Sequence, residues 1–86
     1  MEDIQTLRKR VDEIDDQIIK ALSERVAVCR QIGELKKQQG LPVRDQHREN
    51  HVYTKVKEKA EKFQLEPAQI EALYREIVNM CSAVQK

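Results

Sequence analysis

Residues 4–39 read IQTLRKRVDEIDDQIIKALSERVAVCRQIGELKKQQ. Apolar side chains recur at Ile4, Leu7, Val11, Ile14, Ile18, Ala21, Val28, Ile32 and Leu35. This alternation of three and four predicts a helix packed along one side against another helix. One position breaks the series. Between Ala21 and Val28 the spacing asks for an apolar residue and the chain has Arg25; a guanidinium on a packed seam is costly to desolvate unless an anion meets it. Eleven residues on, at roughly 1100° of helical rotation and so within about 20° of the same face, stands Lys36. Two cations on one side of a long helix point to an anionic partner.

Asp3 can accept from the early amides of this helix, and Gly40 suits the left-handed position that ends one. The helix between them is about 36 residues and roughly 54 Å long. A compact chain of 86 residues has a radius of gyration near 12 Å and a diameter of only about 30 Å. The helix therefore overhangs its own domain, and a second copy in a two-fold dimer is the expected cover for the projecting seam. A long coiled coil ranks second, because Arg25 interrupts the seam and no consistent Leu register exists.

Pro42 bars continuation beyond Gly40, and Asp45 stands where an N-cap belongs. The second helix is predicted from about Gln46 to Phe63. Its inner face reads Glu49, Val52, Val56, Ala60 and Phe63, with Tyr53 at the edge. Glu49 opens this apolar stripe, either half-solvated at the helix end or directed into a pocket. Arg48, on its own, reads as a surface arginine. Gln64–Glu66 break the chain again, and Pro67 fits the first position of a third helix that should run nearly to the end. Its face is Ile70, Leu73, Tyr74, Ile77, Val78, Cys81 and Val84; Gln85, one turn past Cys81, falls on or beside that stripe. The expectation is one all-α domain over residues 1–86, built of one long and two shorter helices.

Sixteen Lys and Arg against 15 Asp and Glu, interspersed along the chain, argue against nucleic acid as the partner. Tyr53, Phe63 and Tyr74, the three aromatics, give no platform for stacking bases. No apolar run reaches membrane-span length and the start is polar, so a soluble, cytoplasmic protein is expected. Cys29 and Cys81 form no CxxC pair and read as small buried thiols. His47 and His51 share a helix face without a third ligand, so no metal is expected. Nucleophilic triads and Gly-rich phosphate loops are also missing. The remaining set, with cations at Arg8, Arg25, Lys36 and Arg48 and with Asp45, Glu49 and Gln85 as cap, acceptor and amide, suits binding of a small, multiply anionic molecule.

The runs LRKRVDEIDDQIIKALSER (7–25), GELKK (33–37) and PVRDQHRE (42–49), followed by Gln85, resemble the all-helical (type II) chorismate mutase family across essentially the whole chain. The resemblance implies an intertwined homodimer with two active sites, which rearranges the dianion chorismate to prephenate in aromatic amino-acid biosynthesis without a cofactor. By position it implies that Lys36 and Gln85 serve the ether oxygen, and that Arg8, Arg25 and Arg48 hold the carboxylates. It assigns the ring hydroxyl to Glu49, aided by the backbone at Asp45. Cys81 stands where the family has a serine, and a thiol is a weak donor, so binding should suffer more than chemistry. Arg8 and Arg25 lie 17 positions apart, roughly 25 Å along one helix, too far to grip one small molecule together. If both act at one site, Arg8 comes from the second subunit. Two other functions fit the same chain: an isochorismate pyruvate lyase on the same scaffold, and a non-catalytic helical dimer serving as an interaction module.

Overall fold

The computed structural model describes residues 3–86, and local signals account for each helix boundary. Helix α1 (Ile4–Gln39) begins where Asp3 turns extended and its carboxylate accepts from the Thr6 amide at 2.8 Å, satisfying one of the amides that a first turn leaves without a partner. It ends at Gly40, whose φ of 68° is strained for any residue with a Cβ. The Leu41 amide then returns to the Lys36 carbonyl at 2.8 Å, closing the end in the manner of a Schellman cap. Helix α2 (Gln46–Lys62) is capped by Asp45, which accepts from the Arg48 amide at 3.0 Å. It stops one residue before the predicted Phe63. Gln64 adopts φ 62°, and this lets the Leu65 amide reach back to the Ala60 carbonyl. Helix α3 (Pro67–Ala83) carries proline at its start, with the Glu66 side chain capping Ala68. Gln85 lies beyond its last turn, in a turn held by a bond from its amide to the Ser82 carbonyl.

The result is all-helical, with no strand among the described residues. Helix α3 packs against both α2 and α1, whereas α1 and α2 are not packed on each other. The enclosed core is small: Cys29, Tyr53, Ala60, Val78 and Cys81 are its buried apolar members. Two expectations for α2 are corrected here. Tyr53 is buried, with the Arg75 guanidinium 4.5 Å from its ring centroid, a cation–π contact that rotates the inner face toward it. Phe63 is 68 % exposed, because it sits past the last turn and no longer shares the helical face. Lys57 of α2 and Arg75 of α3 both pair with Glu71, each at 2.9 Å.

A radius of gyration of 16.2 Å and extents of 58 × 23 × 15 Å exceed the ~12 Å radius of a compact chain of this length. Helix α1 is the reason. The stripe it turns to α3 runs through Arg25, Cys29, Gly33 and Lys36, while residues 3–20 are exposed throughout. The apolar seam lies beside that stripe and stays largely open: Ile4, Leu7, Val11, Ile14, Ile18, Val28, Ile32 and Leu35 are 41–65 % exposed. Buried Gly33 is the one glycine inside a helix, where it costs about 1 kcal/mol relative to alanine. Among the described residues no helix is long and apolar enough to cross a membrane.

Candidate active site

A cavity of about 270 Å³ opens where the C-terminal half of α1, the start of α2 and the end of α3 converge. Helix α1 contributes Arg25, Cys29 and Lys36; the entry to α2 contributes Asp45, Arg48 and Glu49; and Cys81, Ser82 and Gln85 come from the other end of the chain. Seven of the residues singled out in the sequence thus meet at one place. Arg8 does not line the cavity and lies on the exposed half of α1, roughly 25 Å from Arg25 along the helix axis.

Lys36 donates to the Val43 carbonyl at 2.6 Å and to Oε1 of Gln85 at 2.7 Å. An ammonium has three donors, so one remains for a ligand. Because Lys36 takes the amide oxygen, the NH₂ group is the part of Gln85 left to donate. Gln85 is buried although it stands next to the last residue, because it is seated against Gly33. Arg25 directs Nη1 to Cys81 Sγ at 2.7 Å, and Cys29 Sγ lies 3.9 Å from the same nitrogen. Burial pushes the Cys29 thiol above its ordinary value of 9.0, and neighbouring Cys81 pushes the same way, against the pull of the Arg25 and Lys36 charges. At neutral pH Arg25 therefore faces a neutral thiol at Cys29, not the anion that its place beside the seam calls for.

The acids of the site are engaged elsewhere. Asp45 is turned to its capping amide. Glu49, nearly buried, receives the Arg44 fork on both oxygens, Nε to Oε2 and Nη2 to Oε1, each at 2.8 Å. Arg44 also reaches Asn79 at 3.3 Å, so one side chain ties the α1–α2 turn to both shorter helices. Arg25, Lys36 and Arg48 take part in no ion pair among the described residues. Three cations line one small cavity with no carboxylate paired to them.

Two contributors escape a reading of helical periodicity. Arg44 precedes the cap in what looks like a turn, and only its distance of five residues from Glu49 hints at the fork. Gly33 had a clearer signal, since a glycine inside an otherwise regular helix suggests close approach of another backbone.

Residues 7–86 match the family of type II chorismate mutases. The chain belongs to that family. Over its full length it is 34 % identical to the bifunctional chorismate mutase/prephenate dehydratase of Aquifex aeolicus, and it spans 25 % of that protein. It is 35 % identical to a chorismate mutase of Methanocaldococcus jannaschii over 66 % of this chain and 58 % of the relative. A 3-dehydroquinate dehydratase of Pyrobaculum aerophilum is 35 % identical over 92 % of the chain, which spans 23 % of it. The chain thus covers from about a quarter to just over half of these curated relatives. Among solved structures, a conserved hypothetical protein from Pyrococcus furiosus superposes with a TM-score of 0.77 at 31 % identity, covering 96 % of this chain and 95 % of the other. The cavity and the helical frame around it therefore belong to a chain of this family, in which one relative is named as bifunctional.

Proposed function

We propose that this chain rearranges chorismate to prephenate, as a cytoplasmic homodimer whose two sites are each completed by Arg8 of the second copy. The observation that carries the reading is the trio of Arg25, Lys36 and Arg48 around one cavity, outside any ion pair among the described residues. A dicarboxylate supplies the missing anions, and the partial burial of Arg25 and Lys36, though not of exposed Arg48, makes their charge-assisted contacts stronger than they would be in water.

The reaction breaks one C–O bond as one C–C bond forms, within a single molecule. It needs no nucleophile, base or cofactor. The protein's contribution is to hold the folded conformer and to stabilise negative charge growing on the ether oxygen. Lys36 and Gln85 fit the second task. They are joined to each other at 2.7 Å, and each keeps a donor for that oxygen, set in place before the substrate arrives. Arg25 and Arg48 suit the carboxylates, Arg25 in the bidentate manner of a guanidinium. Glu49 accepts the ring hydroxyl with lone pairs that the Arg44 fork leaves open, beside the Asp45 backbone. Cys81 lines the wall as a weak donor.

The exposed α1 seam supports association. A row of large apolar side chains this long, running from the overhanging half of α1 into the half beside α3, would be covered by the same row of another copy. Such packing would carry the N-terminal half of each α1 toward its neighbour's cavity and deliver Arg8 there. The deciding experiment incubates the purified chain with chorismate, follows loss of the substrate's absorbance and identifies the product. Prephenate is expected. Absence of turnover, or pyruvate released from isochorismate in place of it, overturns the reading.

A further inference from the structure

Gly33 stands where the backbone of the C-terminal turn comes close to α1. A methyl group on Gly33 would stand 2.7 Å from Gln85 Cα, 3.0 Å from its Cβ and 3.1 Å from its carbonyl oxygen. The nearest of these is main chain, so no rotation of a flexible side chain relieves the overlap. One turn away on the same stripe, Lys36 holds the amide oxygen of Gln85 at 2.7 Å. Gln85 lies outside α3 and is tied to it locally by the bond to the Ser82 carbonyl. Its distance from α1 is thus set by what stands at position 33.

We propose that Gly33 is a positioning residue for the Gln85 amide: its missing side chain lets the C-terminal turn close onto α1 and brings Oε1 of Gln85 to Lys36. Any larger residue lifts the turn by about the overlap it creates, roughly an ångström against an ordinary carbon–carbon contact, and stretches the Lys36 bond beyond hydrogen-bond length. The seating of Gln85 stands on geometry alone; only its effect on turnover rests on the mutase reading. Helix formation gives no separate reason for a loss, since alanine is the better helix former.

The test uses the full chain with Gly33→Ala, Gln85→Ala and the two combined, and Lys36→Ala as a spectroscopic reference. Gly33→Ala is expected to keep its helical circular dichroism and its assembly, because the overlap involves only the last turn. The side-chain amide resonances of Gln85 in a ¹⁵N-labelled sample should move to where Lys36→Ala places them. kcat should fall about tenfold or more while KM changes by less than about threefold, since a donor to the reacting oxygen acts in the transition state. In the Gln85→Ala background the glycine change should alter kcat by less than about twofold. Unmoved Gln85 resonances, an undiminished further loss in that background, or a Gly33→Ala chain that unfolds or dissociates would each overturn the proposal. If the parent chain leaves chorismate untouched, the mutase reading fails and the resonances still decide the role of Gly33.

Discussion

At the residue scale, the proposed rearrangement would centre on Lys36. Two of its donors are held by the Val43 carbonyl and Gln85, so the ammonium is fixed in direction and need not reorganise when charge develops beside it. Lys36→Ala should lower kcat by about 10² or more; steady-state kinetics on a folded variant check this, and near-normal turnover removes Lys36 from the reaction. Arg44 acts at one remove. Its fork fixes Glu49 at two points, and a lysine can offer only one compact charge in its place. Arg44→Ala is expected to reduce kcat/KM about tenfold, the size of one lost charge-assisted bond, and Arg44→Lys to recover only part of it. Full recovery with lysine would show that charge without orientation suffices.

Between elements, the junction of α2 and α3 relies on Glu71, which accepts from Lys57 across the interface and from Arg75 on its own helix. These bonds hold its carboxyl below the ordinary value of 4.5. A lowered folded-state value means stability that is present above the unfolded value and lost as pH falls through the folded one. The melting temperature of the parent chain should therefore exceed that of Glu71→Gln near neutral pH. The gap should close as acidification carries the pH below the ordinary value of 4.5 and through the lowered one, and thermal scans across that range measure it. The effect is small, because Glu71 and its partners are solvent-accessible and salt screens them. A gap that persists unchanged at low pH would assign the loss to packing, not to charge.

For the whole molecule, the 58 Å length and the open seam of α1 are what motivate the proposed second copy. Arg8→Ala and Arg25→Ala chains, each expected to be inactive alone, test the shared site directly. In a mixed dimer one site combines the intact Arg25 of one chain with the intact Arg8 of the other, and the second site lacks both. After verified exchange of equal amounts, about a quarter of parental activity should return, since half the dimers are mixed and each has one working site. No return would place Arg8 and Arg25 in the service of separate sites or of none.

The amino-acid sequence by itself determined the helices and the cationic stripe. Caps at Asp3, Asp45 and Gly40 and the three-four periodicity act over four or five residues, so they are written in neighbouring letters. The convergence of Arg25, Lys36, Arg48, Glu49 and Gln85 was legible only as far as spacing and family resemblance reached. Tertiary structure alone decided which stripe of α1 meets α3, that Tyr53 is buried and Phe63 is not, that Arg44 grips Glu49, and that Gln85 rests on Gly33. The reason is distance along the chain. Arg25 meets Cys81 across 56 positions and Lys36 meets Gln85 across 49, and contacts of that separation depend on how whole helices rotate and settle against one another.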